Sequence, residues 1–170
     1  MYINDILMEK GNEVHSVDSR QQVRDAVMIM AKHDVGAVVV MEENQIKGIL
    51  TKRDILSSLN QKGNVTVDYQ VIDLMSNNVI TCIPDDSTEH ALHVMNRHQI
   101  RYLLVIEEGK LCGIVSMGDV MRASINAYQF ENRLLKRYIQ TWPDENRGGG
   151  LKLVVNNKFR PSTENSGAIA

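Results

Sequence analysis

The 170-residue sequence predicts a mixed α/β (α+β) fold: two β-α-β-β-α units packed through their sheets as a pseudo-two-fold pair, followed by a C-terminal helix. Two observations predict it. An offset of 65 positions, the separation of Val14 from Val79, superposes one half of the chain on the other without a gap from Val14 to about Leu56. Within each copy the apolar residues first follow a helical stripe and then form short β-rich runs split by polar turns.

Taken in order, residues 3–8 and 71–75 read as lead-in turns to the two copies. A short extended segment follows at 15–17 or 79–82, then a polar turn at 18–21 or 84–87. A helix comes next, because Val23, Ala26, Val27 and Met30, matched by Ala91, Leu92, Val94 and Met95, fall on one stripe that calls for burial. Two strands, 36–41 and 46–50 in the first copy and 102–106 and 111–115 in the second, are joined by polar links in which Asn44 and Gly109 supply the turn conformation. A second helix is expected to begin near Asp54 or Asp119. A unit this small cannot bury both faces of its sheet alone, and packing one unit on the other solves that problem. The resulting division is unit 1 at 1–61, a linker at 62–68, unit 2 at 69–125 and a C-terminal helix at 126–141. That helix carries the stripe Leu134, Leu135, Tyr138 and Ile139, which wants a partner. Residues 142–170 are rich in Gly, Asn, Ser and Pro apart from an apolar run at 151–155, and are expected to form a disordered tail.

Composition bounds the function. A hydrophobic fraction of 43% with 24% charged residues is that of an ordinary globular domain, which excludes wholesale disorder. A net charge of −2 without an arginine-rich arm gives no support to nucleic-acid or membrane-surface binding. Cys82 and Cys112 sit in apolar runs without metal or redox spacing and read as buried small hydrophobes. With no leader pattern and no stretch approaching a membrane span, the expected location is cytoplasmic.

The repeated chemistry is GILTKRD at 48–54 and GIVSMGD at 113–119, in which a hydroxyl stands three residues before a carboxylate. Ser/Thr-x-x-Asp at a strand-to-helix junction is sufficient as a capping box. The same junction offers free N–H groups and partial positive charge that attract a phosphate. A carboxylate there can also accept from both hydroxyls of a ribose, and neighbouring apolar strands can grip a purine. Both readings stand. Asp54 with His33, or Asp119 with His98, offers an acid–base pair only in principle, and no nucleophile elbow, P-loop, dinucleotide fingerprint or HExxH motif is present. His90, His93 and His98 lack a completing ligand at a known spacing, so no metal site is expected; most of the nine methionines fall on helix stripes or apolar segments and read as core.

The duplicated G-h-h-[ST]-x-x-D element, following a hairpin and an alanine-bearing helix, resembles the cystathionine β-synthase (CBS) domain, and two together resemble a Bateman module. Within that family SMGDVM at 116–121 and FENRLLKRYI at 130–139 are similar to small bacterial stand-alone tandem-CBS proteins. The resemblance implies two quasi-equivalent nucleotide sites, each using the hydroxyl and aspartate of one unit with strand residues of the other. Site A would pair Thr51, Arg53 and Asp54 with Val79, Ile80, Arg101 and Tyr102; Asp54 holds the ribose, Thr51, Arg53 and Arg101 the phosphate, and Val79 with Ile80 the adenine. Site B would pair Ser116 and Asp119 with Val14, His15, Gly36 and Ala37. Site A has Arg101, Lys52 and Arg53 for a dianionic phosphate, where site B has Gly36, Met117 and Gly118, so site A is the favoured one. The chain departs from the family pattern at Val39 and Leu104, where proline is frequent, and at Tyr102, where histidine is frequent. The expectation is therefore a homodimeric, non-enzymatic regulatory sensor without a catalytic cofactor. It would bind AMP, or alternatively ATP, ADP or NAD(H), and relay occupancy to an unidentified protein target; the alternative is a ligand-free scaffolding or dimerisation protein.

Overall fold

A computed structural model describes residues 1–62 and 68–140, so most of the expected linker and the whole of the expected tail lie outside the described residues. The elements are α1 (Ile3–Lys10), β1 (Ser16–Asp18), α2 (Val23–Lys32), β2 (Ala37–Glu42), β3 (Gln45–Thr51) and α3 (Lys52–Lys62). After a 3₁₀ turn at Val71–Asp73 come β4 (Thr81–Cys82), α4 (Thr88–Arg97), β5 (Tyr102–Glu107), β6 (Lys110–Ser116) and α5 (Met117–Gln140). Residues 1–133 form one compact body.

Each repeat builds a three-stranded sheet, β1-β2-β3 or β4-β5-β6, with the first pair parallel and the hairpin antiparallel. The repetition extends to fine detail. Val40 faces Gly48 and Val105 faces Gly113, and both ladders slip one residue later, at Val40/Met41 and Val105/Ile106. Each hairpin turn uses two central residues in the left-handed region, Glu43 (φ 48°) with Asn44 (62°) and Glu108 (48°) with Gly109 (76°). Two such residues make the turn type whose twist matches the strands it joins. The second helices begin at Lys52 and Met117, two residues ahead of the expected aspartates, because the hydroxyl residue is the cap and the aspartate falls on the third helical position.

The lead-ins are exchanged between the repeats. Ile3, Ile6 and Leu7 of α1 are buried with Ala91, Met95, Leu103 and Val115 of the second repeat. Val71, with Leu74 and Met75 against it, is buried with Val17, Met30, Val38 and Leu50 of the first. Backbone bonds follow the same crossing: Ile3 N–H donates to Asp86 O at 2.9 Å, and Val71 N–H to Gln21 O at 2.9 Å. Each fully buried aliphatic side chain contributes about 1.5–3 kcal/mol, so the exchange ties the two units together through their cores.

Both faces of each sheet are covered. Strand alternation puts Val39 and Leu104 on the side away from Val38, Val40, Leu103 and Val105, yet all six are at most 1% exposed. One contact across the pair is especially close. The Tyr102 hydroxyl lies against Gly36, where an added Cβ would sit 2.2 Å from it.

Candidate functional site

The repeated motif is built twice to the same plan. Asp54 Oδ2 accepts from Thr51 N–H at 2.8 Å and from Thr51 Oγ1–H at 2.6 Å, while Asp54 N–H donates back to Thr51 Oγ1 at 3.3 Å. Ser116 and Asp119 repeat this at 2.9, 2.7 and 3.2 Å. The pairs therefore act as helix caps, and neither carboxylate bonds a histidine among the described residues. The motif glycines have a different role. A Cβ at Gly48 would lie 2.6 Å from Ser76 O and 2.9 Å from Met75 Sδ, and one at Gly113 would lie 2.7 Å from Leu7 Cδ2. They are the points where the exchanged lead-ins cross the hairpins.

A first cleft of about 330 Å³ opens between the repeats, at the lower end of the size range of small-molecule sites. The structure brings together there all seven residues expected for site A: Thr51, Arg53 and Asp54 at the start of α3, Val79 and Ile80 before β4, and Arg101 and Tyr102 at the start of β5. Ile49, Ser76, Asn78, Gln99, Ile100 and Leu104, which the sequence reading did not place in the site, also line it. For Ser76 the signal would have been the lead-in exchange, since it reaches the cleft by bridging Ile49, with N–H···O bonds of 2.9 and 3.0 Å. Lys52, Arg53 and Arg101 line this cleft against the single carboxylate of Asp54. Arg53 Nη1 also reaches Gln99 O at 3.5 Å.

A second cleft of about 250 Å³ is lined by His15, Gly36, Ala37, Ser116 and Asp119 of the expected site B. Val14 is half-buried and does not line it. Its charge is the reverse of the first, with Glu13, Asp34 and Asp119 against Lys10. The ammonium of Lys10, at the end of α1, sits 3.3 Å from Asp119 Oδ2, and Arg122 Nη1 is 3.6 Å from Oδ1. Burial opposes ionisation of Asp119, but hydrogen bonds from Ser116 and the nearby Lys10 outweigh it and hold the carboxyl below its usual range. Tyr102 and Gly36 line both clefts and form the wall between them. Burial raises the Tyr102 phenol, Arg101 opposes that and Asp119 adds to it. Elsewhere, burial pushes the Cys82 thiol up to about 12, with Asp86 and Cys112 adding, so it is no nucleophile at neutral pH.

Two sheet-bearing repeats enclosing a pair of clefts at repeated strand-to-helix junctions define a tandem two-repeat module. The CBS domain family model matches residues 3–61 and 71–126, and the chain belongs to that family. It is 33% identical over 147 residues to a mitochondrial CBS domain-containing protein of Arabidopsis thaliana, covering 81% of this chain and 71% of that one. An arabinose 5-phosphate isomerase of Yersinia pestis is 31% identical over 124 residues, 72% of this chain but 37% of the enzyme. Among solved structures, a CBS-domain protein of Agrobacterium tumefaciens aligns with a TM-score of 0.70 at 31% identity, over 72% of this chain and 92% of that one. A CBS domain protein of Pyrobaculum aerophilum complexed with AMP aligns at 0.61 and 25% identity, over 70% and 89%. A CBS domain pair in complex with 5′-methylthioadenosine and S-adenosyl-L-methionine aligns at 0.64 and 25%, over 72% and 98%. Related pairs thus bind adenosine-derived ligands, and no helix among the described residues is long and apolar enough to cross a membrane.

Proposed function

We propose that this chain is a cytoplasmic, non-enzymatic sensor of an adenine nucleotide, AMP first, with ATP, ADP or NAD(H) as the other candidates, bound in the first cleft. The observation that carries this reading is the charge and shape of that cleft. Three cations and a helix N-terminus line it together with the apolar Ile49, Val79, Ile80 and Leu104. In this assignment Asp54 receives the ribose hydroxyls, Thr51, Arg53 and Arg101 the phosphate, and Val79 with Ile80 flank the adenine, while Tyr102 closes the far wall. Site B, with Asp119 engaged by Lys10 and carboxylates on its walls, is the weaker nucleotide site.

A ligand touching both repeats favours the arrangement in which they are closed, and it shifts an equilibrium only by its difference in affinity between the two states. A tenfold preference is worth about 1.4 kcal/mol, enough to tilt a balanced interface. The exposed Leu56 of α3 and its repeat equivalent Met121 of α5, with Ile125 and Tyr128 beyond, support a homodimer that passes this shift to a protein partner.

A thermal-melt panel of AMP, ADP, ATP, NADH, GMP and S-adenosylmethionine tests the reading. A rise of several degrees with an adenine nucleotide and none with GMP supports it. The reciprocal caps formed by Thr51 with Asp54 and Ser116 with Asp119 favour one competing reading, a scaffold in which the motif only starts helices; silence across the whole panel is its expected result.

A further inference from the structure

We infer that Glu13 and His15, which line the second cleft, form with the neighbouring His33 a site for a zinc-class divalent transition-metal cation. One donor atom from each of the three lies within 4.8 Å of the others. Glu13 Oε1 is 3.7 Å from His15 Nδ1, and the imidazole rings of His15 and His33 have centroids 3.9 Å apart at an interplanar angle of 30°. A tetrahedral ion with bonds of about 2.0–2.1 Å places its ligand atoms roughly 3.3 Å from one another and two ligating imidazole centroids roughly 5 Å apart, so capture draws the donor atoms together while the two rings splay from their stacked arrangement. Two imidazoles and one carboxylate make a donor set suited to zinc and its neighbours rather than to magnesium or calcium, with water left to complete the coordination.

The backbone already holds the two histidines. Val39 N–H donates to His15 O at 3.0 Å, and His33 closes α2 with its N–H on Ile29 O at 3.1 Å. Glu13 is the adaptable member, its side chain 79% exposed. The field agrees with the ligands, since Asp34 and Asp119 line the same cleft and Lys10 is its one lysine. The other repeat supplies an internal control. At the equivalent positions it carries Asn78, Ile80 and His98, which retain one donor of the three, so the cluster is a property of these side chains and not of the fold. The two clefts then divide by charge, the first suited to an anion and the second to a cation. This inference does not depend on the nucleotide reading.

The test is calorimetric titration of the metal-free full chain with Zn²⁺, without nucleotide, and with Co²⁺ followed by its visible absorption. One equivalent of Zn²⁺ is expected to bind. Glu13→Gln and His33→Gln, both at exposed positions and checked for native circular dichroism, are expected to weaken it at least tenfold and to change the Co²⁺ bands. The His90→Ala/His93→Ala variant of α4 is expected to bind as the wild type does. No uptake of Zn²⁺, uptake unaffected by both substitutions in the cluster, or uptake lost in the α4 variant would each overturn the assignment.

Discussion

Gly48→Ala tests the lead-in exchange. The new methyl carbon would fall 2.6 Å from the Ser76 carbonyl oxygen and 2.9 Å from Met75 Sδ. The thioether can swing aside, but the carbonyl cannot move freely, because Ile49 N–H donates to it at 3.0 Å and Ser76 N–H returns a bond to Ile49 O at 2.9 Å. Forcing an extra carbon into a packed interior costs about 1–3 kcal/mol. Weakening this bridge adds roughly 0.5–1.5 kcal/mol per hydrogen bond. An expected loss of about 3 kcal/mol corresponds to a fall in melting temperature of roughly 6–12 °C for a chain of this size. Gly113→Ala is the matched comparison, since the atoms nearest its methyl are side-chain carbons of Leu7, Cδ2 at 2.7 Å, Cδ1 at 3.0 Å and Cγ at 3.5 Å, and a side-chain end yields more readily than a bonded carbonyl. Its cost should stay near 1 kcal/mol, or roughly 2–4 °C. Thermal melts by circular dichroism read both. If Gly113→Ala proves the more damaging, or Gly48→Ala is neutral, the crossing of residues 71–76 over the first hairpin is not as described.

Two further outcomes follow from the titrating groups. Because Asp119 is held below its usual range, its ionised form adds stability above the unfolded value of about 3.9, and that contribution fades as pH falls through the lower folded value. Lys10→Met moves the folded value back toward the unfolded one, so its urea midpoint should trail the wild type at neutral pH and converge with it in strong acid. A gap of constant size at both pH values would show that Lys10 acts through packing instead. For the thiols, Cys82 at about 12 and 7% exposed should resist Ellman's reagent at mildly alkaline pH until the chain is unfolded. Modification of native Cys82 at the rate of a free thiol would contradict its placement in the second core.

Much of the fold was legible because the repeat is a local pattern copied once. The strands, the hairpin turns and the helix stripes each depend on residues close in sequence, and an offset of 65 positions made each copy a check on the other. The grouping of the site A residues came from the family resemblance, which sets the motif of one copy against the strand starts of the other. What escaped was whatever depends on which copy a segment packs against. The apolar residues of 3–7 and 71–75 satisfy either core, and no periodicity says that they cross. Lys10 reaches Asp119 from 109 positions away, and nothing in the local sequence of either marks the pair. His33 and His98 look equivalent along the chain, yet only His33 meets a second imidazole, because His15 stands where the other repeat has Ile80. Val14 also looked like Val79 and shares its register, but the second cleft is smaller, about 250 against 330 Å³, and Val14 does not line it.

The most direct test of the nucleotide assignment is calorimetric titration of AMP into the wild-type chain, Asp54→Ala and Asp119→Ala. Both substitutions remove the carboxylate half of the same capping box, and Asp119→Ala also removes the Lys10 ion pair, so the fold of each variant is checked by thermal melt before titration. The account predicts that AMP binding disappears in Asp54→Ala and survives in Asp119→Ala. Binding that persists in Asp54→Ala, or that is lost only in Asp119→Ala, would contradict it.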